Sequence, residues 1–326
     1  MIVAGLDEAG YGPRLGPLVV ACTAFEVAVP AAREARALSD PPDLWELLAG
    51  AVAREHAARD ARVWVADSKA IKPRKDGVRL LELGVLSFLA SSGALPPGLP
   101  ELLAAVGADP LGPGAAPWYA GVAAQRLPAQ AWAGEVHTRA ARLREAGTRA
   151  GVRFLGAGAR VLCEEQFNAR VAATDNKAAV LGEACQDLLR ALRAAWPGPL
   201  AVLIDKHGGR DQYTRLLGQA FPLCPIDPEE EGALRSSYRV RTPQGPVRVV
   251  FRQEAEQHGL PAALASMLAK YLRELFMGQL NAWFQARLPG LKATAGYATD
   301  ANRFLLDVEP ALPRLGLTRE ALVRAR

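Results

Sequence analysis

The sequence predicts an α/β layered fold. Half of its 326 residues are apolar, enough for a substantial core in one large domain with an insertion, or in two domains. Short apolar runs rich in β-branched residues alternate with segments of helical period. Acidic residues stand at or near the ends of several of these runs.

In chain order, residues 2–6 (IVAGL) read as a buried strand. A tight Gly/Pro turn joins it to a second strand at 16–28. Helical period follows at 43–59, a strand at 62–67 (RVWVAD) and a helix at 76–92. Residues 93–128 then become rich in Gly, Pro and Ala, which break regular elements, and a helical piece follows at about 129–150. The stretch 93–158 therefore reads as an inserted subdomain or a loose excursion. An amphipathic helix at 176–195 stops at Trp196-Pro197-Gly198, and LAVLID at 200–205 is a buried strand ending on an aspartate. A helix at 211–220, a β-hairpin over 235–252 around TPQGP and a long helix at 260–287 complete the pattern. The acidic run 227–231 reads as a solvated loop.

The net charge of +5 is compatible with a polyanionic partner, and equally with an arginine-rich soluble protein. Cys22, Cys163, Cys185 and Cys224 are scattered through apolar stretches and read as buried reduced thiols, without the spacing of a zinc site. No apolar run approaches the roughly 20 residues of a membrane span. The chain opens directly in MIVAGLDEAG, with no signal-like segment, and reads as a cytoplasmic protein.

Asp7 and Glu8 follow the first strand, Asp205 ends a central one, and Glu256 sits just before the long helix. A carboxylate at such a place is costly unless it is solvated, paired or bound to metal. Hard oxygen donors without histidine or cysteine suit Mg²⁺ or Mn²⁺. Two such ions about 3.5–4 Å apart can activate a water and stabilise the leaving oxygen of a phosphodiester.

Five segments carry a family resemblance. GLDEAGYGPRLGPLVVA at 5–21 resembles the G-x-D-E-A-G-R-G-P-x-x-G-P motif of type 2 ribonucleases H. VADSKAIKPRKDGVRLLE at 65–82 is similar to that family's D-S-K motif, and VLIDKHGGRDQYTRLLGQAFP at 202–222 to its strand-end aspartate and helix. ALASMLAKYLRE at 263–274 is similar to the A-A-S-x-x-A-K-x-x-R-D helix, and TAGYATDANRFLLD at 294–307 to the C-terminal tyrosine segment. The resemblance implies a ribonuclease H-like mixed sheet flanked by helices, an inserted segment at about 93–158 and a C-terminal helical part at about 260–326.

It also implies roles. Asp7, Glu8 and Asp205 are expected as catalytic metal ligands. The fourth ligand falls on Glu256, ten positions before Ser266, where the family has an aspartate. Adjacent strand residues face opposite ways, so the chain is expected to leave strand geometry around Glu8. Gly10, Tyr11 and Gly12 occupy the triplet that reads the ribose 2′-hydroxyl, largely through backbone groups. Lys69, Ser266, Lys270 and Arg273 are expected near the substrate, the last three on one helix face, and Tyr297 at the RNA–DNA junction. Ala262, Ala265 and Ala269 are small enough for close backbone approach.

The pattern departs from the family at Tyr11, where it has arginine. The glycines on either side keep backbone reading possible, but a fixed cation is gone. The implied function is an endonuclease using two Mg²⁺ or Mn²⁺ ions. Its partners would be RNA–DNA hybrids or ribonucleotide-containing duplex DNA. Loss of the arginine motivates an alternative, a structure-dependent nuclease without strict ribonucleotide specificity. The change to Glu256 motivates another, a catalytically degenerate nucleic-acid-binding protein.

Overall fold

The computed structural model describes residues 1–57, 60–109, 111 and 115–325. Pro110, Gly112, Pro113 and Gly114, in the Gly/Pro-rich part of the expected insertion, lie outside the described residues. The elements in order are β1 (Ile2–Ala9), β2 (Leu18–Val27), α1 (Glu34–Ser39), α2 (Leu44–Leu47), β3 (Val52–Ala53), β4 (Val63–Trp64), α3 (Ser68–Ile71), α4 (Gly77–Ser92), α5 (Leu99–Ala105) and α6 (Ala133–Ala150). Then come β5 (Val152–Leu162), α7 (Glu164–Thr174), α8 (Lys177–Ala195), β6 (Leu200–Asp205), α9 (Thr214–Ala220), β7 (Ile226–Glu231), β8 (Arg235–Thr242), β9 (Gly245–Arg252), α10 (Leu260–Gln285), α11 (Ala298–Val308) and α12 (Arg319–Leu322).

One mixed sheet organises the chain, in the order β5-β2-β1-β6-β9-β8-β7. β6 runs parallel to both β1 and β9, and the other pairs are antiparallel. Alternation of side chains gives the sheet two apolar faces. Val3, Ala21 and Phe25 join α4, α6 and α10 on one side. Ile2, Ala4 and Leu6 join Val202, Ile204 and the helices α8 and α9 on the other. The mixed sheet flanked by helices is the expected fold class.

α10 crosses β1 very closely because the residues at the crossing are small. A Cβ at Gly5 would lie 2.1 Å from the backbone nitrogen of Ala262, and the Thr23 hydroxyl donates to the Pro261 carbonyl at 2.8 Å. This contact sets the start of α10 beneath the middle of β1 and shows the expected close backbone approach at Ala262.

Several local expectations are corrected. The helix expected at 43–59 is only Leu44–Leu47, because Val52 instead pairs with Val63 in a short parallel bridge that buries both. The strand expected over 62–67 shrinks to Val63–Trp64 accordingly. The acidic run 227–231 is the edge strand β7 rather than a loop. Its side chains are solvated as expected, and a charged edge discourages further strand pairing.

The described residues of 93–150 are no loose excursion: Leu102, Trp118, Tyr119 and Val136 belong to the same apolar cluster as α4 and α10. The last seven residues of the expected 93–158 segment, 152–158, are part of β5, paired along β2 with a bulge at Ala24/Phe25. Glu82 of α4 ties the middle of the segment down. Its carboxylate accepts from the backbone of Ala129, Gln130 and Ala131 at 2.7, 2.7 and 2.6 Å and from the Tyr271 hydroxyl at 2.7 Å. All four cysteines are free thiols, three buried and Cys224 half-buried. Among the described residues, no helix is long and apolar enough to cross a membrane.

Candidate metal and nucleic-acid site

The site forms where strand pairing stops. β1 stays paired with β2 up to Ala9–Val19, but with β6 only up to Leu6–Ile204. The end of β1 therefore has an open edge, and Asp205 ends β6 beside it. Asp7 and Asp205 lie on the α10 face of the sheet and Glu8 on the α8 face. Even so, one carboxylate oxygen from each of the three lies within 4.8 Å of the others. The expected departure from strand geometry at Glu8 does not occur, since register holds through Ala9. The convergence comes instead from the open edge, and Asp7 Oδ1 accepts from the backbone N–H of Glu8 at 2.6 Å.

The cluster is electrostatically costly. Burial pushes the Asp7 carboxyl well above its ordinary range and the Glu8 charge pushes it further, against a hydrogen bond from Ser266. Burial, followed by the Asp205 charge, pushes Glu8 up to about 7. Burial also raises Asp205, although the backbone N–H of Ala255 donates to its Oδ1 at 3.2 Å. Carboxylates packed this way favour their neutral forms unless a cation joins them.

Glu256 stands beside this group rather than within it. It lies on a short turn after β9, and Glu254 just before it adopts the left-handed region at φ 55°. Glu256 is 2% exposed; its Oε1 is 3.5 Å from Lys69 Nζ, and its buried Oε2 has no hydrogen-bond partner among the described residues. Its charge helps raise both Asp7 and Glu8. The Lys69 side chain is 79% exposed, so its ammonium reaches from solvent towards the buried carboxylates.

The remaining expected residues divide. Ser266 is buried beneath Asp7 and shares a 2.9 Å hydrogen bond with the Ser68 hydroxyl, tying α3 to α10. Lys270 lies 3.0 Å from Glu274, which also holds Lys72 at 3.2 Å. The Lys270 ammonium is 5.8 Å from the centre of the Tyr297 ring, which is 47% exposed. Arg273 is not a substrate-facing residue. It is fully buried, and its guanidinium donates to the carbonyls of Pro17, Leu15 and Ala295 at 2.8, 3.1 and 3.0 Å. His207, two residues after Asp205, packs edge-on against Tyr213 and Phe251. Burial and then Arg210 lower it to about 4, leaving it neutral.

The Gly10–Pro17 loop borders the cluster. Gly10 has φ 89°, and a Cβ there would lie 2.5 Å from the Pro17 carbonyl oxygen. Gly12 faces open space and is exposed. The half-buried Tyr11 ring lies 4.7 Å beneath the Lys177 ammonium. Two residues that sequence reasoning missed hold this loop from below. The buried Arg324 guanidinium donates to the carbonyls of Gly10 and Pro13, and its backbone N–H donates to Arg14. Glu164 accepts from the Gly16 N–H at 3.0 Å and from the Tyr119 hydroxyl at 3.1 Å, so the segment after α5 reaches the base of the loop. Neither residue lies in a recognisable motif.

No family model matches this chain, and no curated protein matches it. Among solved structures, it is similar to RNase HII of Archaeoglobus fulgidus, solved in complex with PCNA, at 16% identity and a TM-score of 0.43, covering 100% of this chain and 95% of that one. It is similar to ribonuclease H2 of Pyrococcus horikoshii OT3 at 14% identity and 0.42, covering 99% and 92%. It is also similar to Bst-RNase HIII in complex with Mn²⁺ at 18% identity and 0.38, covering 94% of this chain and 62% of that one.

Proposed function

We propose that this chain is a divalent-metal-dependent endonuclease that hydrolyses the RNA strand of RNA–DNA hybrids or cuts at ribonucleotides in duplex DNA. One observation carries the reading: the oxygens of Asp7, Glu8 and Asp205 converge at an open sheet edge beside a buried Glu256 oxygen that has no partner among the described residues. An all-oxygen donor set with raised carboxyl pKa values fits Mg²⁺ or Mn²⁺. Asp7, Glu8 and Asp205 would hold the metal, with Glu256 adjoining, in a site for two ions. When bound, such ions supply Lewis acidity and an activated water at neutral pH.

The chain's own residues would do the rest. Lys69 and Lys270 would neutralise strand phosphates on one side of the carboxylates, and the Tyr297 ring would stack on a nucleotide. Gly10, Tyr11 and Gly12 would border the strand on the other side. The products would carry 3′-hydroxyl and 5′-phosphate ends.

The test is cleavage of an RNA–DNA hybrid, a single-ribonucleotide duplex and an all-DNA duplex with Mg²⁺ or Mn²⁺. Cutting of the first two, lost in Asp205→Asn, is the expected result. No cutting of either, with the variant indistinguishable from the parent, sinks the reading. One observation favours a second reading, cleavage without strict ribonucleotide specificity: the Gly10 carbonyl already accepts from Arg324, which leaves the triplet one backbone group fewer for a 2′-hydroxyl. Equal cutting of the all-DNA duplex would select it. Absence of Mn²⁺ binding by calorimetry would select a degenerate binding protein instead.

A further inference from the structure

The β8–β9 pairing carries two arginine pairs, and only one of them is bridged by a shared carboxylate. In the β8–β9 register Arg239 stands opposite Arg248, and Arg235 opposite Arg252, all four on the α10 face. Like charges directly opposite on one face destabilise a sheet. The first pair is resolved from within: Glu229 takes Arg239 on one oxygen at 2.9 Å and Arg248 on the other at 2.8 Å. Burial alone would raise the Glu229 carboxyl, but the two guanidiniums outweigh it and lower it.

The second pair has no such bridge. Glu230 holds Arg235 from the exposed edge, and the half-buried Arg252 side chain has no hydrogen-bond or ion-pair partner among the described residues. Arg235 and Arg252 line a cavity of about 250 Å³ together with His258 and the Glu229-bound Arg248. Its acidic residues are Asp40, on the exposed loop before α2, and Asp43. The Asp43 carboxylate is already used, capping α2 through the Trp45 N–H and holding Arg54. The floor is apolar, formed by Leu203 and Val250, with Leu38 and Leu44 opposite.

We propose that this cavity binds a phosphate-type oxyanion between Arg252 and Arg235, in the role that Glu229 plays for the neighbouring pair. A planar guanidinium matches such an anion with two parallel hydrogen bonds. Burial, and then the Arg252 charge, lowers the pKa of His258, which lines the same cavity. The cavity is larger than a phosphate alone needs, so the apolar floor has room for a small appended group. The proposal needs no metal, although Arg252 is the register partner of Asp205 in the β6–β9 pairing and so adjoins the carboxylate cluster.

The test uses the full chain stripped of metal with EDTA, in chloride buffer. Inorganic phosphate, a deoxynucleoside 5′-monophosphate and a short DNA duplex are titrated by calorimetry, and melting is followed with each. Phosphate is expected to bind and to raise the melting temperature of the parent. Arg252→Ala is expected to weaken binding at least tenfold, while Arg149→Ala, at an exposed arginine of α6 that does not line the cavity, leaves it intact. Tighter binding of the monophosphate than of phosphate would assign the floor to a base. Dependence on Arg252 with the duplex alone would make the anion a strand phosphate. No dependence on Arg252 with any of the three overturns the proposal. Arg252→Gln and Arg235→Gln serve should the alanine variant fail to fold.

Discussion

The carboxylate cluster and the Gly10–Pro17 loop meet at the end of β1, yet they are built on opposite principles. In the loop, the buried backbone carbonyls are matched by guanidinium and backbone donors, although Arg14 Nε and Arg324 Nε and Nη1 are buried without a hydrogen-bond partner among the described residues. The carbonyls of Gly10, Pro13, Arg14, Leu15 and Pro17 all accept from Arg324 or Arg273, and the Gly16 N–H is held by Glu164. In the cluster, three carboxylates are gathered against their mutual repulsion, and a buried oxygen of Glu256 is left without a partner among the described residues. The matched region contributes stability and a fixed shape. The unmatched one costs stability, which locates the position where a cation would be gained. Substitutions should therefore separate the two regions: removing a group from the loop should unfold the chain, and removing one from the cluster should abolish activity without harming the fold.

Asp205→Asn gives the largest expected effect. The amide keeps an acceptor for the Ala255 N–H and removes one negative charge from the group. On the proposed reading, hydrolysis of a hybrid should fall about 10³-fold or more, since several kcal/mol of transition-state stabilisation are lost. The metal-free variant should melt no lower than the parent, and calorimetric scanning alongside the activity assay checks both. A variant that melts well below the parent would mean that the cluster is structural after all.

Arg273→Ala is the reverse experiment. It strips three buried or half-buried carbonyls of their donor and empties a fully buried volume, which should cost roughly 3–5 kcal/mol. A marked fall in melting temperature, seen with and without divalent ions, is the expected outcome. Unchanged melting with a tenfold rise in KM would return Arg273 to the substrate-contacting role that its helix face suggested.

How much of this contrast was legible in the sequence follows from the range of the interactions. β6 and α8 are set by local pattern and boundary residues. β6 has the limits that its apolar run predicts, and α8 is capped by Asn176, whose side chain accepts from the Ala178 N–H. Asp7, Glu8 and Asp205 were legible because a carboxylate at the end of an apolar strand is itself a local anomaly. Arg324 was not, because its partner Gly10 lies 314 residues away and nothing near Arg324 marks it. β5 was obscured by Gly156 and Gly158 and by a bulge that breaks its alternation. Arg273 shows the limit of a helix-face argument: spacing gives the face, but not whether a loop or a ligand covers it.

The pH dependence sharpens the comparison further, because the loop's guanidiniums keep their charge over the range in which the cluster titrates. Glu8 is raised from 4.5 to about 7 in the folded chain. A raised folded-state value means that the associated stability is present in full below about pH 4.5 and lost as pH rises through about 7. The metal-free chain should therefore melt lower at pH 8 than at pH 5, by on the order of 5 °C. Mg²⁺ should restore much of that loss at pH 8 if the cluster holds it. A flat profile between these pH values would show that the carboxylates are not coupled as their proximity implies.

The smallest effect expected is that of Lys69→Ala. Its ammonium is exposed, so its loss should leave melting nearly unchanged, although it lies 3.5 Å from the buried Glu256. If Lys69 neutralises one strand phosphate, the slope of log affinity against log salt should become shallower by roughly one unit, equally for every sequence tested. Binding to a hybrid in EDTA, measured by fluorescence anisotropy at several salt concentrations, reads that slope without any turnover. An unchanged slope with a raised metal requirement would place Lys69 on the cluster's side of the comparison. Its charge would then balance Glu256 rather than the substrate, and the exposed face between Lys69 and Tyr297 would lose its claim to the nucleic acid.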